Sequence, residues 1–95
     1  MIPNETKFLA WISEYRGVEP VISVASFVCE FDGADVFKIN GAVRAIHPFE
    51  RMFDTRAEAV RWCAGEIERM ARALDRKVSE MLEDARQEEA AHGVV

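Results

Sequence analysis

TRAEAVRWCAGEIERMARALDRKVSEMLEDA, residues 55–85, is the stretch from which the rest of the chain can be read. Thr55 and Glu58 have the spacing of a capping box, in which side chains satisfy the free backbone N–H groups of a first helical turn. Val60, Cys63, Ile67, Ala71, Leu74, Val78, Met81 and Ala85 then recur every three or four residues, the period of one helical face. No proline interrupts, and Gly65 is the one glycine between Thr55 and His92. The pattern predicts a single helix over 55–91. Such a helix is roughly 50 Å long, whereas a compact domain of this chain length is roughly 30 Å across. The helix should therefore overhang its own domain. Ile67, Leu74 and Met81 lie seven residues apart with Val78 between them, so the overhang keeps an apolar stripe that a second copy would bury most simply. Two alternatives stay open: a break near Asp75 into two packed helices, or fraying where Glu80, Asp84 and Glu88 repel one another at the acidic end.

Upstream, Phe8, Trp11, Ile12 and Tyr15 fall at i, i+3, i+4 and i+7. That spacing predicts a first helix over 4–16, with Asn4 as N-cap and Gly17 as stop. Residues 21–31 are rich in β-branched and aromatic side chains and read as a strand. Asp32-Gly33 and Asn40-Gly41 are hairpin turn signals, so 35–39 and 42–47 become the second and third strands, ending before Pro48. The expected fold is α+β, in the order αβββα: an N-terminal helix, a three-stranded antiparallel meander over 21–47 and a long C-terminal helix, one domain over 1–95.

Composition narrows the function. The chain has 95 residues, 49% of them apolar and 31% charged, a globular balance and not that of a disordered chain. No apolar run is long enough to cross a membrane, and the N-terminus lacks a basic, then apolar, secretory signal. The expectation is a cytoplasmic protein with Cys29 and Cys63 reduced and packed in the core, a single disulfide between them being the alternative. No Cys-x-x-Cys or His-x-x-x-His pair offers a metal site, no Gly-x-Ser-x-Gly elbow offers a nucleophile, and the hairpins account for Gly33 and Gly41 without a phosphate loop. His47, near Glu50, lacks a sequence-defined partner, although Cys63 could approach it in space. No catalytic residue, cofactor or metal is expected.

Charge supplies two candidate surfaces. The net charge is −5. Residues 55–77 carry a net +2 and residues 78–95 a net −4, so the acidic helix end, Glu80, Glu83, Asp84, Glu88 and Glu89, could dock on a basic surface of another protein. The rival surface is a basic strip with aromatics among it: Lys38, Arg44, Arg51 and Arg56, with His47, Phe37 and Phe49. Such a strip could hold nucleic acid on the sheet face. The dimer contacts would be Ile67, Leu74, Val78 and Met81.

The segment from Phe31 to Ile67, with Asp32-Gly33, Asn40-Gly41 and then Phe53-Asp54-Thr55-x-x-Glu58-Ala59-x-x-Trp62, resembles the βββα arm-type DNA-binding modules of phage integrases. It is also similar to some small phage-encoded anti-CRISPR proteins. The second resemblance implies a non-catalytic protein, phage or mobile-element encoded, that binds and inhibits a host protein or ribonucleoprotein complex. The first implies a nucleic-acid-binding module.

Overall fold

The computed structural model describes residues 1–93 and contains five strands and one helix: β1 (Thr6–Ser13), β2 (Glu19–Phe31), β3 (Ala34–Ile39), β4 (Ala42–Ala45), β5 (Arg51–Phe53) and α1 (Arg56–Ala91). The strands form one antiparallel sheet in the order β4-β3-β2-β1-β5. Both turn signals act as hairpins. Asp32, Gly33, Asn40 and Gly41 all have positive φ, the conformation of the two central residues of a type I′ turn.

The sheet cannot be flat. Five strands side by side span about 19 Å, yet the two edge strands are joined by the five residues 46–50. That link spends part of its reach on a turn, where the Glu50 N–H donates to the His47 carbonyl at 3.0 Å. The sheet therefore rolls toward a barrel. Leu9, Ala25, Phe27, Phe37 and Ile39 fill the concave side and are all buried; the Phe27 and Phe37 rings meet edge to face at 5.7 Å. On the convex side α1 lies across β1, β5 and β2. Ala10, Ala59 and Cys63 are buried there, with Phe8, Ile12, Ile22, Phe53 and Trp62 packed around them. Small residues facing each other let helix and sheet backbones approach closely.

The N-terminal helix expected over 4–16 is not formed; the segment is β1, inserted between β2 and β5. Its run Phe8-Leu9-Ala10-Trp11-Ile12 is apolar at successive positions because both faces of a rolled sheet are covered. Phe8, Ala10 and Ile12 look toward α1, and Leu9 toward the barrel interior. A short continuous apolar run satisfies helical spacing and a doubly buried strand equally well. Tyr15, the fourth member of the supposed helical stripe, is 86% exposed. The three-stranded meander is likewise corrected to five strands. β5 carries no strand signal in the sequence because three residues are too few to show alternation. The two faces of the sheet are covered by α1 and by the sheet's own curl, so no second helix is needed.

β2 carries one further correction. Phe27 pairs with Phe37 but Cys29 pairs with Val36, so Val28 is an extra residue, a β-bulge. A one-residue shift exchanges the faces of everything beyond it. Cys29 and Phe31, which unbroken alternation would set on the face of the buried Ala25 and Phe27, turn outward; Cys29, expected in the core, is exposed and Phe31 is 72% exposed. Both cysteines are free thiols.

α1 is continuous through Asp75 and on to Ala91. Its first turn is held by Thr55, whose Oγ1 accepts from the Glu58 N–H at 3.2 Å and donates to Glu58 Oε1 at 3.1 Å. Thr55→Ala should cost about 1 kcal/mol, read as a lowered denaturation midpoint in urea with the far-ultraviolet dichroism of the folded state unchanged. The loose tail expected after His92 lies, beyond Gly93, outside the described residues.

The projecting helix as candidate interaction surface

Only the first four turns of α1 rest on the sheet. From Ala71 to Ala91 every residue is exposed, and the chain extends 73 Å along its long axis against 27 and 22 Å across. The free half is not uniformly polar. Leu74, Val78, Met81 and Leu82 are between 53% and 63% exposed and fall on one side of the helix. A short helix of polar composition needs no such row; an interface does.

At about 100° per residue, that seam is offset by about 65° from the sheet-facing side marked by Ala59 and Cys63, with Met81 in line with Cys63. It leads back into a groove of about 500 Å³ between α1 and the start of β2, lined by Pro20, Ile22, Val60, Cys63, Ala64 and Ile67, with Arg56 at its wall. Of the four expected dimer residues, Leu74, Val78 and Met81 are on the free half and Ile67 is half-buried in the groove. All four share the seam.

The five acidic residues do not form one face. Glu80 and Glu83 lie roughly 160° and 140° around the helix from Val78, Asp84 and Glu88 flank the sheet-facing line, and Glu89 is within about 20° of the seam. Glu83 is paired with Arg86, and Glu80 sits 3.9 Å from Lys77. Exposed i,i+3 pairs of this kind contribute a few tenths of a kcal/mol at most, so they compete weakly with a partner's cations. The last turn has no basic residue, which leaves the negative end of the helix dipole unopposed.

The chain matches no protein-family model, no curated protein and no solved structure.

The basic strip is not brought together. Arg44 is committed inside the molecule: its Nη1 and Nη2 donate to Glu50 Oε1 and Oε2 at 2.7 and 3.1 Å, and its Nη1 also donates to the Ala45 carbonyl. Lys38 is on β3 and Arg51 on β5, with β2 and β1 between them. Arg56 opens α1 beside the groove. Phe37 is fully buried and offers no base a stacking surface. Phe49 is 55% exposed, but its ring is already packed between Trp11 and His47, each at 5.0 Å.

The Arg44–Glu50 pair was invisible in the sequence except as two charges six residues apart. Glu50 is the one buried charged residue among those described. It also accepts from the His47 N–H at 2.8 Å. The Arg44 guanidinium, aided by that N–H, holds its carboxyl below the usual carboxylate range. The role is structural: the pair clamps the link between β4 and β5.

His47 and Cys63 do not meet. Cys63 is buried under α1 on the convex side, while His47 stacks on Phe49 in the link. Burial pushes the Cys63 thiol above its ordinary range, which keeps it protonated and a poor nucleophile. Among the described residues no three His, Cys, Asp or Glu side chains converge as metal ligands, and no helix is long and apolar enough to cross a membrane.

Proposed function

We propose that this chain is a non-catalytic interaction protein that presents the free half of α1 to a partner, in the manner of the small phage-type inhibitors it resembles. The target is a macromolecular complex of the host cell with a basic surface, bound and blocked by contact. The observation that carries the reading is the exposure of every residue from Ala71 to Ala91 on a helix that still has an apolar row. Six turns of ordered helix in contact with nothing are costly to keep without tertiary support. The acidic excess of the same segment favours encounter with positive surfaces. Glu80 and Glu83 suit that role best, since they face away from the apolar seam.

Support for the nucleic-acid alternative is thinner. Its four cations do not share a face, one of them is neutralised by Glu50, and the whole chain is acidic, which opposes phosphate binding.

The test is affinity capture from host lysate with the immobilised chain, with and without nuclease, beside the variant Glu80→Lys/Glu83→Lys/Asp84→Lys. The reading expects a captured complex that survives nuclease and is lost, at least tenfold, in the variant while helicity is retained. Capture that the variant leaves unchanged defeats the acidic-end mechanism. Capture abolished by nuclease, with direct retention of DNA or RNA at low salt, moves the assignment to nucleic acid.

A further inference from the structure

The apolar seam and the outward-facing Glu80 and Glu83 of α1 point in different directions, so one partner does not account for both. We infer that a second copy of this chain covers the seam, with the two α1 helices antiparallel and the tail of each lying in the other's groove between α1 and β2. This rests on the reading of α1 as an interaction element and adds the identity and orientation of one occupant.

Three features argue for it. The first is continuity. Leu74, Val78 and Met81 run without interruption into Ile67, Ala64 and Val60, and there the seam acquires a second wall from Pro20 and Ile22. A helix laid on the free half and prolonged toward the barrel enters that groove. The seven-residue spacing of Ile67, Leu74 and Met81 is the repeat that keeps such a helix in contact along its length.

The second is charge. α1 carries a net +2 over 56–77 and a net −4 over 78–91. Parallel pairing would set the acidic half against itself. Antiparallel pairing sets each acidic half against a basic one, twice. With the axis near Arg76, Glu88 and Glu89 of the second copy stand level with Ala64 and Cys63 at the groove, and the carbonyl end of each helix, which has no basic residue of its own, lies against the basic half of the other.

The third is space. The barrel flanks α1 only over its first turns. A two-fold axis near Arg76 places the barrels at opposite ends and both tails in grooves. Parallel pairing would crowd the barrels together and leave both grooves empty. Glu80 and Glu83 remain on the outer side of the paired helices, free for a different protein.

The experiment combines solution mass with label distances. Light scattering across a wide concentration range should give twice the chain mass, and Val78→Lys should return it to the monomer with the helical dichroism retained. Nitroxides are placed in a Cys29→Ser background, at Asp75→Cys in one sample and Glu89→Cys in another. Antiparallel pairing about Arg76 predicts a separation under about 20 Å at the first site and about 40 Å at the second. Short separations at both sites mean parallel helices and overturn the proposal. A monomeric mass at all concentrations overturns it too. A monomer whose capture still depends on Glu80 and Glu83 would leave the partner-binding reading standing, and a dimer whose capture ignores those residues would do the reverse.

Discussion

Phe37→Ala is expected to cost about 3–5 kcal/mol, a large share of the total stability of a domain this small. Phe37 is fully buried at the centre of the concave cluster, paired across β2 with Phe27 and touching its ring edge to face. The barrel has few other large side chains inside; Leu9 is the other of comparable burial. A phenyl ring removed there leaves a void that a rolled sheet cannot collapse to fill, since its curvature is set by the short link between β4 and β5. Urea denaturation should show the midpoint falling sharply, or no folded baseline at all. Phe31→Ala is the matched control. Phe31 lies beyond the bulge and is 72% exposed, so its loss should shift stability by no more than about 0.5 kcal/mol. Equal losses at the two positions would refute the face exchange at Val28.

Glu50→Gln should cost about 2–3 kcal/mol at neutral pH. Breaking a fully buried ion pair costs more, about 3–5 kcal/mol, but the Arg44 side chain is 30% exposed and regains some hydration. The pH dependence gives the sharper reading. Arg44 depresses the folded carboxyl's pKa relative to the unfolded chain, where it is about 4.3. The stabilisation is therefore complete above that value and fades as the pH falls through the lower, folded value, where the native carboxylate is protonated too. The difference between native chain and variant, measured by urea titration, should be largest near pH 7 and shrink steadily on acidification below about pH 4. A difference independent of pH would mean that the link is held by packing and not by charge.

These two positions also mark how far the residues could be read unaided. Asp32-Gly33, Asn40-Gly41 and Thr55 with Glu58 are local signals whose chemistry is complete within four residues, and each has the geometry its chemistry demands. The helical repeat from Val60 to Ala85 is long enough to average out ambiguity. The first seventeen residues are the opposite case. Phe8 to Ile12 is apolar because two different cores claim alternate residues, and that depends on a closure made forty residues later by the 46–50 link. The bulge at Val28 is similar: no residue type announces it, and it becomes evident only from which residues of β3 lie opposite. The seam residues were legible from spacing, whereas the second wall of their groove comes from Pro20 and Ile22, which no helical pattern includes. The basic strip failed as a strip because Arg44 has a private partner in Glu50.

The sheet ends on β4 and β5, of four and three residues, each bearing an arginine. Edges so short expose too few unpaired backbone groups to recruit a foreign strand. The sticky surface is instead on a helix, whose amides are already saturated along its length. Pairing of the kind proposed is thereby confined to side chains on one finite rod, a route that terminates at a fixed number of molecules and gives no template for open-ended fibril growth.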